Sequence, residues 1–304
     1  MKKTIFFPKE NEHAVYATFA RSVGAVDANS VALSSGIREF DVALVHSITS
    51  LNQAVAAKER HPELRIIYLD TDCFFAKDYF EENFLQQTLH DCSLKKISGI
   101  ISVSYLNASY AQNVPCLKDI PVKVVRPFIT TKKQELARLE SKNVLVMNNF
   151  GEYDNSVQQV RSVKNTPYTC LAVGQGEQLN NAIKTAPPKT RFFTQYRPEV
   201  LFKKASIFLN VADYEPFGIT ACEAVQAGLL PLLGPENGNS EVLGSELIVQ
   251  EKNWQSIREK VLEVMSWPTS KKSSLQYALR LRIRQLGENT QVRKFQEAFR
   301  SLTN

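Results

Sequence analysis

The sequence predicts an α/β protein with two doubly wound halves, each built around a parallel sheet. Short apolar runs rich in Val and Ile recur along the chain, and the spacing between them leaves room for a helix. The series restarts after a polar, charged stretch near the middle. At 304 residues the chain is also longer than one average domain, and its 43% apolar and 22% charged residues are typical of a globular protein.

In the first half, the apolar runs read KTIFF, DVALVHS, RIIYL, GIISVS and VKVV. We interpret each run as a buried strand of a parallel sheet. The segment SLNQAVAAKER between two of them is helical in pattern. Ser50 followed by Gln53 has the spacing of a capping box, which predicts that this helix begins at Ser50.

The second half repeats the pattern with NVLVM, YTCLAV, TRFF, SIFLNV and LLPLL, and is helical after ELIVQ. On the last helix, one apolar stripe is formed by Val292, Phe295, Phe299 and Leu302. The predicted organisation is an N-terminal domain over 1–130, a linker over 131–142, a C-terminal domain over 143–287, and a final helix over 288–304 that packs back on the first domain.

The length of the apolar runs, the cysteine spacing and the net charge exclude several classes of protein. No run approaches the roughly 18 apolar residues that span a bilayer, so we expect a cytoplasmic protein, with peripheral association at the inner face of the membrane as an alternative. The five cysteines show no metal-binding spacing. The net charge of +6 favours anionic ligands, but no nucleic-acid-binding motif accompanies it, and no nucleic acid partner is expected.

Residues 210–234, NVADYEPFGITACEAVQAGLLPLLG, have the outline of strand, turn, helix and strand. Glu215 lies in the turn and Glu223 in the helix that follows Gly218. A helix N-terminus attracts phosphate and a carboxylate accepts hydrogen bonds from sugar hydroxyls, so together they suit a nucleotide sugar. The alternative is that Glu215 is a turn residue and Glu223 a solvated helix residue.

The segment EPFGITACEAVQAG, preceded by ASIFLNVADY and followed by LLPLL and NGNSEVL, resembles the Glu-x7-Glu motif of the retaining GT-B glycosyltransferases of family four. YTCLAVGQGEQL and TRFFTQYRPEVLFKKA resemble that family's glycine turn and nucleobase-side segment. The resemblance implies two Rossmann-like domains whose parallel sheets face a central cleft. It also implies transfer of a hexose from a nucleotide-diphosphate sugar to a glycan, lipid or protein acceptor, with retention at the anomeric carbon.

The same resemblance implies roles for individual residues. Glu215 would contact the donor sugar as a catalytic residue and Glu223 would bind the ribose. The remaining donor-binding residues would be Phe217, Gly218, Ile219, Thr220, Gly174, Tyr196 and Arg197. The family uses neither a metal nor another cofactor, so none is expected here.

Two segments depart from the family pattern. Residues 148–155, NNFGEYDN, contain no Lys or Arg where the family carries cations for the diphosphate, so Arg197, Lys203 or Arg126 would have to supply that charge. In IIYLDTDCFF, Asp70 or Asp72 could replace the family's histidine beside the reacting sugar. Asp72 is the catalytic candidate, and an equal alternative is that an Asp here caps the next helix.

These departures leave a second function open, a catalytically weak GT-B-like protein that binds a sugar or a partner. A glycosidase that uses Glu215 and Glu223 ranks last, because two opposed carboxyls about 5 to 10 Å apart would be needed and no feature supplies the opposing walls.

Overall fold

The computed structural model describes residues 2–10, 13–31, 37–76, 91–130 and 135–304. The chain forms two compact units, one of Met1–Phe128 with Glu288–Asn304 and the other of Ile129–Gly287. Each unit contains one parallel sheet with helices in the connections. The predicted α/β class is therefore confirmed.

The sheet of the first unit has six strands in the order β2-β1-β3-β4-β5-β6, and every neighbouring pair is parallel. Its strands are β1 Thr4–Phe7, β2 Val26–Asp27, β3 Val42–Val45, β4 Arg65–Asp70, β5 Ile97–Ser102 and β6 Val122–Val124. All but β2 coincide with apolar runs of the sequence. Strand β2 is two exposed residues long, so it carries no burial pattern from which it could have been predicted.

The helices described in the first unit include α1 Ala14–Ser22, α2 Ile48–Arg60, α3 Asp91–Leu94 and α4 Tyr105–Asn113. The prediction that α2 begins at Ser50 is wrong. Its N-cap is Ser47, an extended residue whose Oγ accepts a hydrogen bond from the backbone N–H of Ser50 at 3.1 Å. Ser50 itself is buried and donates to the carbonyl of Pro8 at 2.7 Å, a contact from a distant loop that local spacing cannot reveal.

The final helix, α12 Glu288–Thr303, belongs to the first unit. Phe295, Phe299 and Leu302 of its apolar stripe are buried there, and Val292 is partly buried. The Phe295 ring stacks on Phe19 of α1 with a centroid separation of 4.7 Å. At Gly99 in β5, an added Cβ would lie 3.1 Å from the Leu302 side chain. A side chain at position 99 would displace the Leu302 and Ile67 side chains, so this packing favours glycine there.

The second unit has a five-stranded parallel sheet in the order β11-β10-β7-β8-β9. The strands are β7 Asn143–Met147, β8 Thr169–Val173, β9 Thr190–Phe193, β10 Ile207–Asn210 and β11 Leu230–Leu233. Strands β7, β8, β10 and β11 are almost wholly buried, which explains their continuous apolar sequences. The order reverses beside β7, because the chain adds β8 and β9 on one side and then returns to place β10 on the other.

Helices of the second unit are α5 Ser156–Arg161, α6 Leu179–Thr185, α7 Pro198–Leu201, α8 Ile219–Gln226, α9 Ser240–Leu243, α10 Trp254–Ser266 and α11 Thr269–Ile283. Residues 135–142, part of the expected linker, are bound to this unit. The Ala137 N–H donates to the Ala227 carbonyl at 2.8 Å, and Ser141 Oγ donates to the Lys204 carbonyl at 2.6 Å. Residues 131–134 lie outside the described residues.

Across the described ranges, none of the helices combines the length and the apolar character needed to cross a membrane.

Candidate functional site

The strand order locates the candidate site of the second unit. In an open α/β sheet, ligands bind outside the carboxyl ends of the strands at the point where the order reverses. Here that point lies between β7 and β10, whose following loops are residues 148–155 and 211–218. The two loops touch, because the Asp213 N–H donates to the Tyr153 carbonyl at 2.8 Å and Asn155 Nδ2 donates to the Val211 carbonyl at 3.0 Å.

The turn before α8 depends on a glycine. Gly218 has a φ of 75°, a left-handed conformation that disfavours other residues. A Cβ at this position would lie 2.4 Å from Asn239 Nδ2, so there is no space for a side chain either. The segment after β11 holds the turn in place, since Glu215 N–H donates to the Glu236 carbonyl and Gly238 N–H donates to the Glu215 carbonyl, both at 2.9 Å.

Three buried asparagines support this turn, and sequence reasoning gave none of them a role. Asn239 Nδ2 donates to the Gly218 carbonyl at 3.2 Å, and Asn237 Nδ2 donates to the Asn210 carbonyl at 2.9 Å. The Asn210 side chain donates to the carboxylate of Glu215. The available signal was a polar residue at the end of the apolar strand SIFLN, and the repeated Asn in NGN.

Glu215 is partly exposed, but its carboxylate is surrounded by protein atoms that raise its pKa to about 7. Burial is the main cause, and the negative charge of Asp154 adds to it. Hydrogen bonds from Phe217 N–H, the Asn210 side chain and Gly218 N–H act in the opposite direction. The pKa of Asp154 is raised as well, mainly by burial, although two backbone N–H groups donate to its carboxylate. The site therefore contains two interacting carboxyl groups from different loops.

On the other side of Gly218, the structure brings three of the predicted donor-binding residues together. Glu223 lies in the second turn of α8, and Thr220 lies in the first. The hydroxyl of Tyr196 forms a hydrogen bond with the Thr220 side chain. Burial raises the pKa of Tyr196, and the charges of Glu223 and Glu199 raise it further. Tyr196 is thus close to Glu223 although the residue remains 56% exposed.

The four predicted backbone positions at the start of α8 are not equivalent. The N–H groups of Phe217 and Gly218 donate to the Glu215 carboxylate. Ile219 and Thr220 occupy the first helical positions, where backbone N–H groups have no acceptor within the helix. The Phe217 side chain is buried.

Gly174, a further predicted donor-binding residue, packs against the loop that follows β7. A Cβ at Gly174 would lie 2.0 Å from the Asn148 carbonyl oxygen and 2.4 Å from the ring of Phe150. Phe150 is fully buried and has a φ of 49°. The glycine is therefore required by the packing of these two loops.

Arg197 is exposed and precedes α7. It lines a cavity of about 380 Å³ whose other walls are Phe192, Phe193, Thr194, Gln195, Val200, Leu201 and Lys204. Neither Glu215 nor Glu223 lines this cavity. Lys203, another expected source of positive charge, has its Nζ 3.5 Å from the carboxylate of Glu135.

Asp72 belongs to the first unit, directly after β4. Its Oδ1 accepts a hydrogen bond from the Phe74 N–H at 3.0 Å. Residues 77–90 lie outside the described residues, so both expected roles of Asp72 stay predictions. Asp70 is fully buried, its Oδ2 accepts from Ser102 Oγ at 2.7 Å, and burial raises its pKa well above the usual range.

Within the described part of the chain, no three His, Cys, Asp or Glu side chains are grouped so that they could hold a metal ion.

Each unit contains one parallel sheet, and the turn that contains Glu215 and Gly218 lies at the reversal point of the second sheet. Together these features define an α/β fold of the GT-B class. The family model described as "Glycosyl transferases group 1" matches residues 128–282, slightly more than half of the chain. The chain therefore belongs to the group 1 glycosyl transferases. No curated protein gives a significant sequence match.

Solved structures with the same fold include three proteins of low sequence identity. Sucrose-phosphate synthase from Thermosynechococcus elongatus is 14% identical with a TM-score of 0.76, covering 95% of this chain and 79% of that one. HepE from Anabaena, in complex with UDP-glucose, is 11% identical with a TM-score of 0.77 and coverage of 99% and 100%. A glycosyltransferase from Rickettsia africae is 13% identical with a TM-score of 0.69 and coverage of 99% and 98%. These likenesses confirm the fold.

Proposed function

We propose that this protein is a retaining glycosyltransferase that moves a hexose from a nucleotide-diphosphate sugar to a glycan, lipid or protein acceptor. The observation that carries the proposal is the arrangement at the reversal point of the second sheet. Glu215 and Glu223 lie on either side of Gly218 at the start of α8, where a helix N-terminus can accept phosphate.

In the proposed complex, Glu223 accepts hydrogen bonds from the two ribose hydroxyls. The backbone N–H groups of Ile219 and Thr220 donate hydrogen bonds to the diphosphate, because they lie at the positive end of α8. Tyr196, which is hydrogen-bonded to the Thr220 side chain, forms one wall of the nucleotide site. Glu215 contacts hydroxyls of the donor sugar from the loop side.

In the proposed reaction, the bond between the anomeric carbon and the phosphate oxygen breaks, and the acceptor oxygen forms its bond on the same face of the sugar. The acceptor proton passes to the leaving phosphate. Positive charge develops on the sugar ring as the bond breaks, and an ionised Glu215 stabilises that charge. The protein contributes mainly position and electrostatics, and no metal ion is part of the proposal.

Membership of the group 1 glycosyl transferases supports the proposal. Further support comes from the fold shared with HepE, whose structures are described with UDP-glucose and with UDP and glucose. Retention, the absence of a metal and the identity of the acceptor remain parts of the proposal.

The loop after β7 favours a second candidate, a protein that binds a nucleotide sugar but turns it over slowly. Residues 148–155 contain two acids, Glu152 and Asp154, and no Lys or Arg. The charge of Asp154 already acts on Glu215. A diphosphate bound near this loop would gain little electrostatic stabilisation from it, which would weaken donor binding and departure of the leaving group.

Calorimetry on two variants tests the proposed site. Glu223→Gln removes a charged acceptor for the ribose hydroxyls, and charge-assisted hydrogen bonds contribute about 1.5 to 3 kcal/mol, so binding of a nucleoside diphosphate should weaken about tenfold or more. Glu215→Gln should leave nucleotide affinity nearly unchanged, because Glu215 is expected to contact only the sugar. Equal weakening in both variants, or in neither, would contradict the separate roles.

A screen of nucleotide sugars by thermal stabilisation identifies the donor for these measurements. Turnover of the nucleotide sugar that stabilises the protein then distinguishes the transferase from the binding protein. A low kcat in Glu215→Gln, with wild-type nucleotide affinity, supports a transferase. Tight binding by the wild-type protein without sugar release to any acceptor, or to water, supports the binding protein.

A further inference from the structure

Three basic side chains surround one tryptophan on the surface of the second unit. The guanidinium carbons of Arg161 and Arg258 each lie 5.5 Å from the centroid of the Trp254 indole ring, and Lys164 Nζ lies 5.8 Å from it. Arg161 ends α5, Lys164 follows it, and Arg258 is one turn along α10 from Trp254. We call these four residues the Trp254 cluster.

The cluster is a concentration of positive charge without internal compensation. Among the described residues, no carboxylate lies within ion-pair distance of its three cations. Trp254 is also the first residue of the thirteen-residue helix α10, whose N-terminus adds a positive partial charge. Each of the three cations lies within 5.8 Å of the same ring centroid. Their like charges repel one another, and an external anion would reduce that repulsion.

The acids nearest in sequence, Glu251 and Glu259, lie in the described range 135–304 and form no ion pair with the cluster. The carboxylate of Glu251 accepts hydrogen bonds from Asn253 and Ser256, both at 3.1 Å. Glu259 follows Arg258 directly and therefore points about 100° away around α10.

The apolar content of the surface distinguishes between classes of anionic partner. Trp254 is partly exposed, and Leu262, one turn beyond Arg258 on α10, is 38% exposed. Indole rings favour the headgroup region of a bilayer, and basic residues near an anionic leaflet gain further binding energy. A nucleic-acid site would instead combine a basic groove with aromatic platforms for stacking. Exposed Trp and Leu side chains beside basic residues are typical of helices that bind at a membrane interface.

We propose that the Trp254 cluster docks the protein on an anionic phospholipid surface. The indole ring enters the headgroup layer, and the three cations contact lipid phosphates around it. None of its four residues is assigned to the donor site, so this inference does not depend on the proposed function.

Cosedimentation of the full chain with vesicles tests the proposal. The wild-type protein should bind phosphatidylcholine vesicles that contain phosphatidylglycerol, should not bind pure phosphatidylcholine, and should be released by salt. The triple variant R161Q, K164Q, R258Q should lose on the order of 100-fold in affinity. The matched control R284Q, K294Q, R300Q removes the same charge from three exposed positions elsewhere and should keep most of the affinity.

Tryptophan fluorescence reports where contact occurs, because the chain has only two tryptophans. In W267F the remaining Trp254 emission should shift to the blue and resist aqueous quenchers when anionic vesicles are added. In W254F the Trp267 emission should not change. Unaltered thermal unfolding of the triple variant shows that its loss of binding is not a folding defect.

Several results would overturn the proposal. These are failure to bind anionic vesicles, equal losses of vesicle affinity in the two triple variants, and Trp254 emission that does not change when anionic vesicles are added. Binding to an RNA homopolymer that depends on the cluster, without vesicle binding, would assign the surface to nucleic acid instead.

Discussion

Replacing Glu215 by Gln should stabilise the folded protein above neutral pH. Burial and the charge of Asp154 raise the Glu215 pKa from 4.5 to about 7, so the folded state holds a proton on this group more tightly than the unfolded state does. Between these two pKa values the folded state binds more protons, and the free energy of unfolding therefore falls as pH rises. Glutamine carries no charge, so the free energy of unfolding of the variant does not fall with pH for this reason.

The size of the effect follows from the pKa difference. Each pKa unit corresponds to about 1.36 kcal/mol, so ionised Glu215 destabilises the folded state by up to about 3 kcal/mol. The stabilisation by Glu215→Gln should be below about 1 kcal/mol near pH 5 and should approach about 3 kcal/mol near pH 8.5. Partial exposure of Glu215 makes the upper figure a limit.

Urea denaturation at both pH values measures the change, with Glu177→Gln as the matched control at an exposed position. The control should show no gain that grows with pH. A Glu215→Gln protein that is less stable than wild type near pH 8.5, or whose gain is the same at both pH values, would refute the reasoning. The expected gain is typical of functional sites that keep a destabilising group for their chemistry.

Three further predictions concern the site, the core and metal dependence. Gly218→Ala forces a side chain into a left-handed position 2.4 Å from Asn239 Nδ2, so it should lower stability and nucleotide affinity together in denaturation and calorimetry; wild-type values in both would contradict this. Phe295→Ala empties a fully buried site beside Phe19 and should reduce the free energy of unfolding of the first unit by about 3 to 5 kcal/mol in urea, with exposed Arg300→Ala as control. Chelation by EDTA should leave turnover of the donor unchanged, and activity restored only by added Mn²⁺ would show that a metal takes part.

Most of the sheet strands could be predicted from the sequence, because strands buried on both faces read as continuous apolar runs. Strand β2 could not be predicted, since its two exposed residues carry no such pattern. The start of α2 was misplaced by one turn because both Ser47 and Ser50 are good capping residues, and the choice between them depends on the contact between Ser50 and Pro8.

The candidate site was predicted only in part. The spacing of Glu215, Gly218 and Glu223 is local, so their placement on either side of a helix start could be predicted from the chain itself. The supporting amides of Asn237 and Asn239 could not, because their partners come from loops that are distant in sequence. The donor-site roles of the two glutamates remain predictions.

By itself, the sequence determined the two series of strands and the turn that contains Glu215 and Gly218. Burial and backbone conformation leave local patterns in the chain. Only the tertiary structure decided that Glu215 faces Asp154 and accepts a hydrogen bond from Asn210. It also decided that Gly174 makes room for Phe150 and that three cations gather around Trp254. The physical reason is that proton affinity, close packing and charge clustering depend on distances between loops, and those distances are set when the sheet brings the ends of its strands together.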